Sequence, residues 1–243
     1  MKPPEASPPL FDTCVQDIEA AYKRLGHKLG WRFLSVSRAI LDKPVRIVLV
    51  TINPAGNSIP KDHPWPSSEN GSSYIVEKWG NAIPGRSTLQ VQVQEMFRLL
   101  REAIGFSGSH EELLAQSLIS HFVPFRSPRF HDLSRKADSL EVGRKLWSNI
   151  LPHAMPRLVI CLGRVVQKEL RALIPQCLWA THIGCSSHLT GWGNTTADVD
   201  SYTAPHGSVR LLYLPHLSTW TLFTSGKSLP NMSAILQDAA HDL

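Results

Sequence analysis

Apolar residues follow two alternating rhythms along the chain. Short runs of consecutive apolar, β-branched residues alternate with stretches in which apolar positions recur every three or four residues. The first kind reads as buried strand and the second as amphipathic helix. Residues 12–25 carry Val15, Ile18, Ala21, Tyr22 and Leu25 at helical spacing, with Asp12 or Thr13 available as a cap. A strand follows at about 45–52. Gln90 to Ile104 predicts a helix with Val93, Met96, Phe97 and Leu100 on one face, and Glu111 to Ser117 a shorter one. Ser117 to Pro124 reads as a second strand, Leu140 to Ile150 as a helix, and Arg157 to Leu162 as a third strand closed by Gly163. A helix over Val165–Leu173, a strand near Cys177–Thr181, a last parallel strand at 209–214 and a helix over about 230–240 complete the pattern. Residues 184–207 are rich in Gly, Ser and Thr and are expected to be irregular. Strands alternating with helices predict an α/β protein, a three-layer α/β/α sandwich around a mostly parallel sheet of four to five strands.

No linker rich in Gly, Ser or charge divides the 243 residues, so residues 1–243 are expected to form a single domain. The Pro-rich residues 1–10 are expected to be disordered. Residues 56–86 form one long loop containing Trp65, Tyr74 and Trp79, and such a loop is more often functional than a spacer. The formal net charge of +5 is compatible with nucleic acid but does not demand it. The four cysteines show no C-x-x-C spacing, which suits reduced structural thiols. There is no secretory leader pattern at the N-terminus and no apolar run of membrane-spanning length. The expectation is a cytoplasmic protein without membrane attachment. Eleven histidines are scattered without a zinc-site spacing, so neither a metal nor a cofactor is expected.

Four strand ends carry candidate chemistry. Ile47–Ile52 stops at Asn53-Pro54-Ala55-Gly56-Asn57, and a polar group at the carboxyl end of a central parallel strand is where open α/β sheets bind ligands. Leu211–Leu214 leads into Pro215-His216-Leu217-Ser218-Thr219-Trp220. There His216 can stabilise an anion or move a proton, and Ser218 and Thr219 suit a phosphate oxygen. His121-Phe122-Val123-Pro124-Phe125-Arg126-Ser127 delivers a histidine and two aromatics that can read and stack on a base, with Arg126 and Ser127 toward phosphate. Leu162-Gly163-Arg164 turns from strand to helix and presents backbone N–H groups to an anion. Each segment alone reads better as a turn, a loop cap or a buried aromatic cluster; order and spacing together give them weight.

In that order and spacing, over roughly residues 40–225, they resemble the uracil-DNA glycosylase superfamily. Thr51-Ile-Asn-Pro-Ala-Gly56 is similar to the Gly-Ile-Asn-Pro-Gly or Gly-Met-Asn-Pro-Gly motif of its mismatch-specific and single-strand-selective branches. His216-Leu217-Ser218 is similar to the His-Pro-Ser-Pro motif, and His121–Arg126 falls where the family carries its base-reading Asn. Leu158–Gly163 resembles the strand preceding the last motif. The resemblance implies a DNA partner, a flipped-out nucleotide, a water positioned by Asn53 and a leaving base stabilised by His216, with His121 second. It further implies a base pocket drawn from His121, Phe122, Tyr74, Trp65 and Asn57, with Tyr74 or Trp65 stacked on the base. DNA contacts would come from Arg126, Ser127, Gly163, Arg164, Leu217, Ser218, Thr219 and Trp220, with Leu217 or Trp220 as the wedge. Thr51 and Ala55 stand where the family has Gly, no Pro follows His216, and His121 replaces the Asn. Loss of that Asn and the two long loops point to a bulky or modified base such as 5-hydroxymethylcytosine, plain or glucosylated, in phage DNA. The alternatives are uracil or mismatch repair and a binding module that keeps the fold without catalysis. A monomer is expected. An unrelated hydrolase would need a nucleophile motif, and none is present.

Overall fold

The computed structural model describes residues 9–243, so all but the end of the Pro-rich segment expected to be disordered lies outside the described residues; Leu10 already belongs to the first helix. In chain order the elements are α1 (Leu10–Leu25), β1 (Ile47–Thr51), α2 (Ser73–Val76), α3 (Thr88–Ala103), α4 (His110–Ala115), β2 (Leu118–His121) and α5 (Lys136–Ala154). They continue with β3 (Leu158–Leu162), α6 (Arg164–Leu178), β4 (Thr181–Leu189), β5 (Thr196–Ala204), β6 (Gly207–Leu214) and α7 (Leu229–Ala239).

The strands form one sheet in the order β2-β1-β3-β6-β5-β4. The first four run parallel, and β5 and β4 are antiparallel additions. The sheet is therefore mixed and six-stranded, not mostly parallel with four to five strands. Every residue of β1 and β3 is buried, which requires cover on both faces of the sheet. The helices supply it in two packed groups: α5 lies against α1 and α6, whereas α3 packs with α2, α4 and α7. A single cluster of buried apolar side chains extends from Phe11 to Ala240. Among the described residues no helix is long and apolar enough to cross a membrane.

Two expectations fail for identifiable reasons. The strand near Cys177–Thr181 is instead the end of α6. Leu170, Leu173, Ile174, Cys177 and Leu178 are all buried and keep the helical period up to a left-handed cap at Trp179. The segment 184–207, expected to be irregular, is instead most of the β4–β5 hairpin. β4 is an edge strand exposed along most of its length, so no apolar alternation marks it in the sequence.

Local chemistry fixes the elements around the site. Ser109 and Glu112 close a reciprocal cap on α4, at 3.2 and 2.8 Å. Gln90 accepts from the Ser87 N–H at 3.0 Å and donates to the Ser73 and Glu77 carbonyls at 2.9 and 2.8 Å. One amide side chain thus starts α3 and ties it to α2. Gly143 of α5 meets Phe122 so closely that a Cβ there would strike its carbonyl, so the helix can approach the end of β2 only without a side chain.

Candidate active site

The chain reverses direction across the sheet at β1. From β1 it proceeds outward to β2, and from β2 it jumps back over β1 to β3. A crevice opens at the carboxyl ends of strands where order reverses in this way. The strand ends are level: Thr51 pairs with His121, Val50 with Cys161, and Leu162 with Leu214. Asn53, Gly163 and His216 therefore follow directly beyond one common row. Two strand spacings separate β1 from β6, about 10 Å, which leaves room for a small ring system between Asn53 and His216.

The Asn53 amide has one possible orientation. Its Nδ2 donates to the Pro54 carbonyl (3.1 Å), the Ser127 hydroxyl (3.0 Å) and, at 3.5 Å, the Ser127 carbonyl. Carbonyls only accept, so the nitrogen must face them. The Ser127 hydroxyl donates onward to the Arg129 carbonyl at 2.9 Å, which leaves its oxygen to accept from Asn53. With the nitrogen tied down, Asn53 Oδ1 has no protein donor among the described residues and can accept from a water. Ser127, expected at phosphate, is instead buried and positions Asn53.

His216 is oriented by its own loop. Its Nδ1 lies 2.8 Å from the Ser218 hydroxyl and accepts from the Ser218 N–H at 3.3 Å. A nitrogen that accepts from a backbone N–H carries no proton, so the neutral ring holds its proton on Nε2. That N–H is the donor left for an anion. Burial lowers the His216 pKa below the ordinary histidine value.

His121 stands at the end of the neighbouring strand, its Nδ1 2.6 Å from the Thr51 hydroxyl. Burial first, then the charges of Arg32, Arg126 and His216, hold it well below the usual histidine range. Both rings are therefore neutral at pH 7. His27, hydrogen-bonded to Ser139 at 3.1 Å and stacked on Phe125, is also shifted down by burial. Unfolding frees such rings to bind protons, so the stability they contribute is constant above about pH 6.5 and is lost as pH drops below it. Urea midpoints at pH 7.5 and pH 5 should show that loss, and His121→Asn should make it smaller. An equal loss in the variant means that His121 is not held neutral.

A polar bracket stands behind His121. Residues 31–34 run along the outer edge of β2, with Leu34 bridged to Ser120, Trp31 to Phe125 and Arg32 to Trp65. The buried Arg32 forms a two-pronged pair with Glu77 at 2.7 and 2.6 Å, and Glu77 also accepts from Trp79 Nε1 at 3.0 Å. Burial opposes the Glu77 charge, but Arg32 and the Trp79 N–H outweigh it and keep the pKa below the usual carboxylate value. The Trp65 ring lies 5.0 Å from the Arg32 guanidinium and 5.4 Å from that of Arg126. Arg126 also reaches the Ala55 carbonyl, while its buried Nε has no partner among the described residues.

Asn53, His121 and the His216–Ser218 pair thus follow the ends of parallel strands in one row, with Arg126 reaching the chain beside Asn53 and lying against Trp65. Other expected site residues are committed elsewhere. Tyr74 is 2% exposed and packed into the core, so no face is free to stack on a base. Phe122 and Leu217 are both buried in the core, which removes Phe122 from the pocket and Leu217 as a wedge. The Gly163 N–H donates to the Leu214 carbonyl at 2.9 Å and is not offered to an anion. Arg164 is paired with Asp198 and lies 3.9 Å over Tyr213, so its charge is answered within the protein. Asn57 and Thr219 are exposed and Trp220 half-buried on the rim.

The sequence reading missed Thr51 and Ser127 as positioning groups and the Arg32–Glu77 bracket. Register neighbours and partners 45 residues apart leave no local signal. As a whole the site can orient a water with Asn53 and donate a hydrogen bond to a developing anion from His216. No protein-family model matches the chain, and no curated protein sequence does.

Proposed function

We propose that the protein is a monofunctional DNA glycosylase acting as a monomer in the cytoplasm. It hydrolyses the N-glycosidic bond of a nucleotide turned out of the stack and leaves an abasic site. The observation that carries this reading is the Asn53 amide, locked by Ser127 and Pro54 with its carbonyl oxygen free, just beyond the end of β1 at the same end of the sheet as His216, which follows β6 two strands away.

The chemistry follows from the two groups. An amide is too weak a base to deprotonate water, so Asn53 only aims the water oxygen at the sugar C1′. The bond to the base breaks with its electron pair leaving on the base, the water oxygen takes its place on the sugar and gives up its extra proton to solvent water, and the released base anion takes a proton from solvent. The barrier falls mainly through stabilisation of the departing anion by the His216 Nε2–H. Trp65 provides an aromatic surface for the base and His121 its hydrogen-bonding edge. The resemblance to the uracil-DNA glycosylase superfamily supports the same assignment and the three-layer α/β/α architecture that goes with it. A histidine in place of the base-reading Asn, with the long segment 56–86 following Asn53, favours a modified base, of which 5-hydroxymethylcytosine and its glucosylated form are the proposed cases.

The test is an abasic-site assay on DNAs carrying uracil, thymine mismatches, 5-hydroxymethylcytosine or glucosylated 5-hydroxymethylcytosine, nicked with alkali after incubation. Wild type is expected to cleave one of them, and Asn53→Ala to do so about 100-fold more slowly, because a misplaced water costs that much. Uracil excision with the modified DNAs left intact would overturn the substrate. No cleavage of any DNA, with salt-sensitive binding retained, would leave a binding module.

A further inference from the structure

The turn joining β4 to β5, residues 190–195, closes against the chain after β6. A Cβ on Gly191, whose φ is +80°, would lie 2.8 Å from the Lys227 carbonyl, so the two segments touch backbone to backbone. Asn231 donates to the Leu189 carbonyl at 2.8 Å. Trp192 meets Trp220 edge to face, with ring centroids 6.3 Å apart and planes at 80°. The Trp220 N–H in turn donates to the His216 carbonyl at 3.2 Å. The aromatic pair therefore sits one short turn from the histidine of the crevice, at the same end of the sheet as Asn53.

Trp192 is 37% exposed on a turn that does not need it. Thr190 holds the turn itself. Its N–H and its hydroxyl both donate to the Thr195 carbonyl at 2.9 Å, and its hydroxyl oxygen accepts from the Trp192 N–H at 3.3 Å. An edge-to-face pair, unlike a parallel stack, leaves indole faces uncovered. The neighbouring Lys227 is exposed and has no ion pair among the described residues. A rigid indole with a cation beside it, on the lip of a crevice, matches a strand of stacked bases with a phosphate backbone.

We propose that Trp192, backed by Trp220, is a stacking platform for a nucleobase of the strand that flanks the extruded nucleotide. The proposal rests on the glycosylase reading above and adds a contact outside the catalytic pair. It accounts for the hairpin tip closing on the Trp220 turn and gives the rim contact to aromatic residues instead of the buried Leu217.

Binding is measured by fluorescence anisotropy with a short labelled single strand and with its duplex, over a series of salt concentrations. Trp192→Ala is expected to bind about 5- to 150-fold more weakly, the range for loss of one base–aromatic stack. Trp192→Phe is expected to recover most of that loss. The slope of affinity against salt should stay at the wild-type value in both, because no phosphate contact is removed. Trp192→Ala binding as tightly as wild type would overturn the platform while leaving the glycosylase reading standing. A wild-type protein that binds neither oligonucleotide and excises no base would overturn that reading, and the platform with it.

Discussion

His216→Ala is expected to lower the single-turnover rate of base release about 10²- to 10³-fold while leaving the affinity for DNA nearly unchanged. The size is that of removing one pre-positioned donor to a developing anion. The split between rate and affinity follows from when the contact is made. The base carries little charge before the bond stretches, so the Nε2–H bond strengthens only on the way to the transition state. His216→Gln keeps an N–H donor and should restore part of the rate. Ser218→Ala removes the hydroxyl at 2.8 Å but keeps the backbone N–H that fixes the tautomer, and should cost less than His216→Ala. If His216→Ala raised KM and left kcat alone, the histidine would be a ground-state binding group and the mechanism above would be wrong.

Glu77→Ala is expected to destabilise the fold by about 3 kcal/mol, the low end for breaking a buried ion pair. Arg32 is the reason. Its side chain is 5% exposed, and with Glu77 gone two prongs of its guanidinium lose their acceptor in a place that water hardly reaches. Trp79 loses the acceptor for its indole N–H as well. For a chain of this size that corresponds to a Tm lower by about 6–12 °C in a thermal melt. Glu77→Gln, which keeps an acceptor, should fall between. Breaking the exposed pair of Arg98 and Glu95 should change stability by less than about 1 kcal/mol. A Glu77→Ala protein melting with wild type would mean that Arg32 finds other partners and that the bracket does not hold Trp65 in position.

The parts of the fold that are legible in the sequence are those whose burial is one-sided or complete. Val48–Val50 and Leu158–Leu162 announce strands because both faces are covered, and Val93, Met96, Phe97 and Leu100 announce α3 because one face is. β4 announces nothing, since Thr181–Leu189 is exposed along most of its length and its cross-strand contacts are polar, Ser187 to Asp198 and His182 to Asp200 among them. Cys177 and Leu178 mislead in the other direction: an apolar pair before a Trp looks like a strand until it is counted from Leu170 in steps of three and four. At the site, Asn53, His121 and His216 are visible as polar residues ending apolar runs. Their partners are not, because Ser127 and Thr51 meet them through strand register and a returning loop, over separations of 74 and 70 residues. Burial also cannot be read from residue type alone, which is why Leu217 and Tyr74, plausible as contacts in the sequence, belong to the core.

The position of β6 between β3 and β5 has a consequence for synthesis of the chain. β3 ends at Leu162 and its neighbour β6 is complete only at Leu214, about 50 residues later. At ribosomal rates of about 5–20 residues per second, the inner edge of β3 waits about 3–10 s without its partner. During that interval the nascent chain presents an apolar, unpaired strand edge and has no His216. It is sticky before it is active, and a chaperone that shields strand edges would act on this protein in that window.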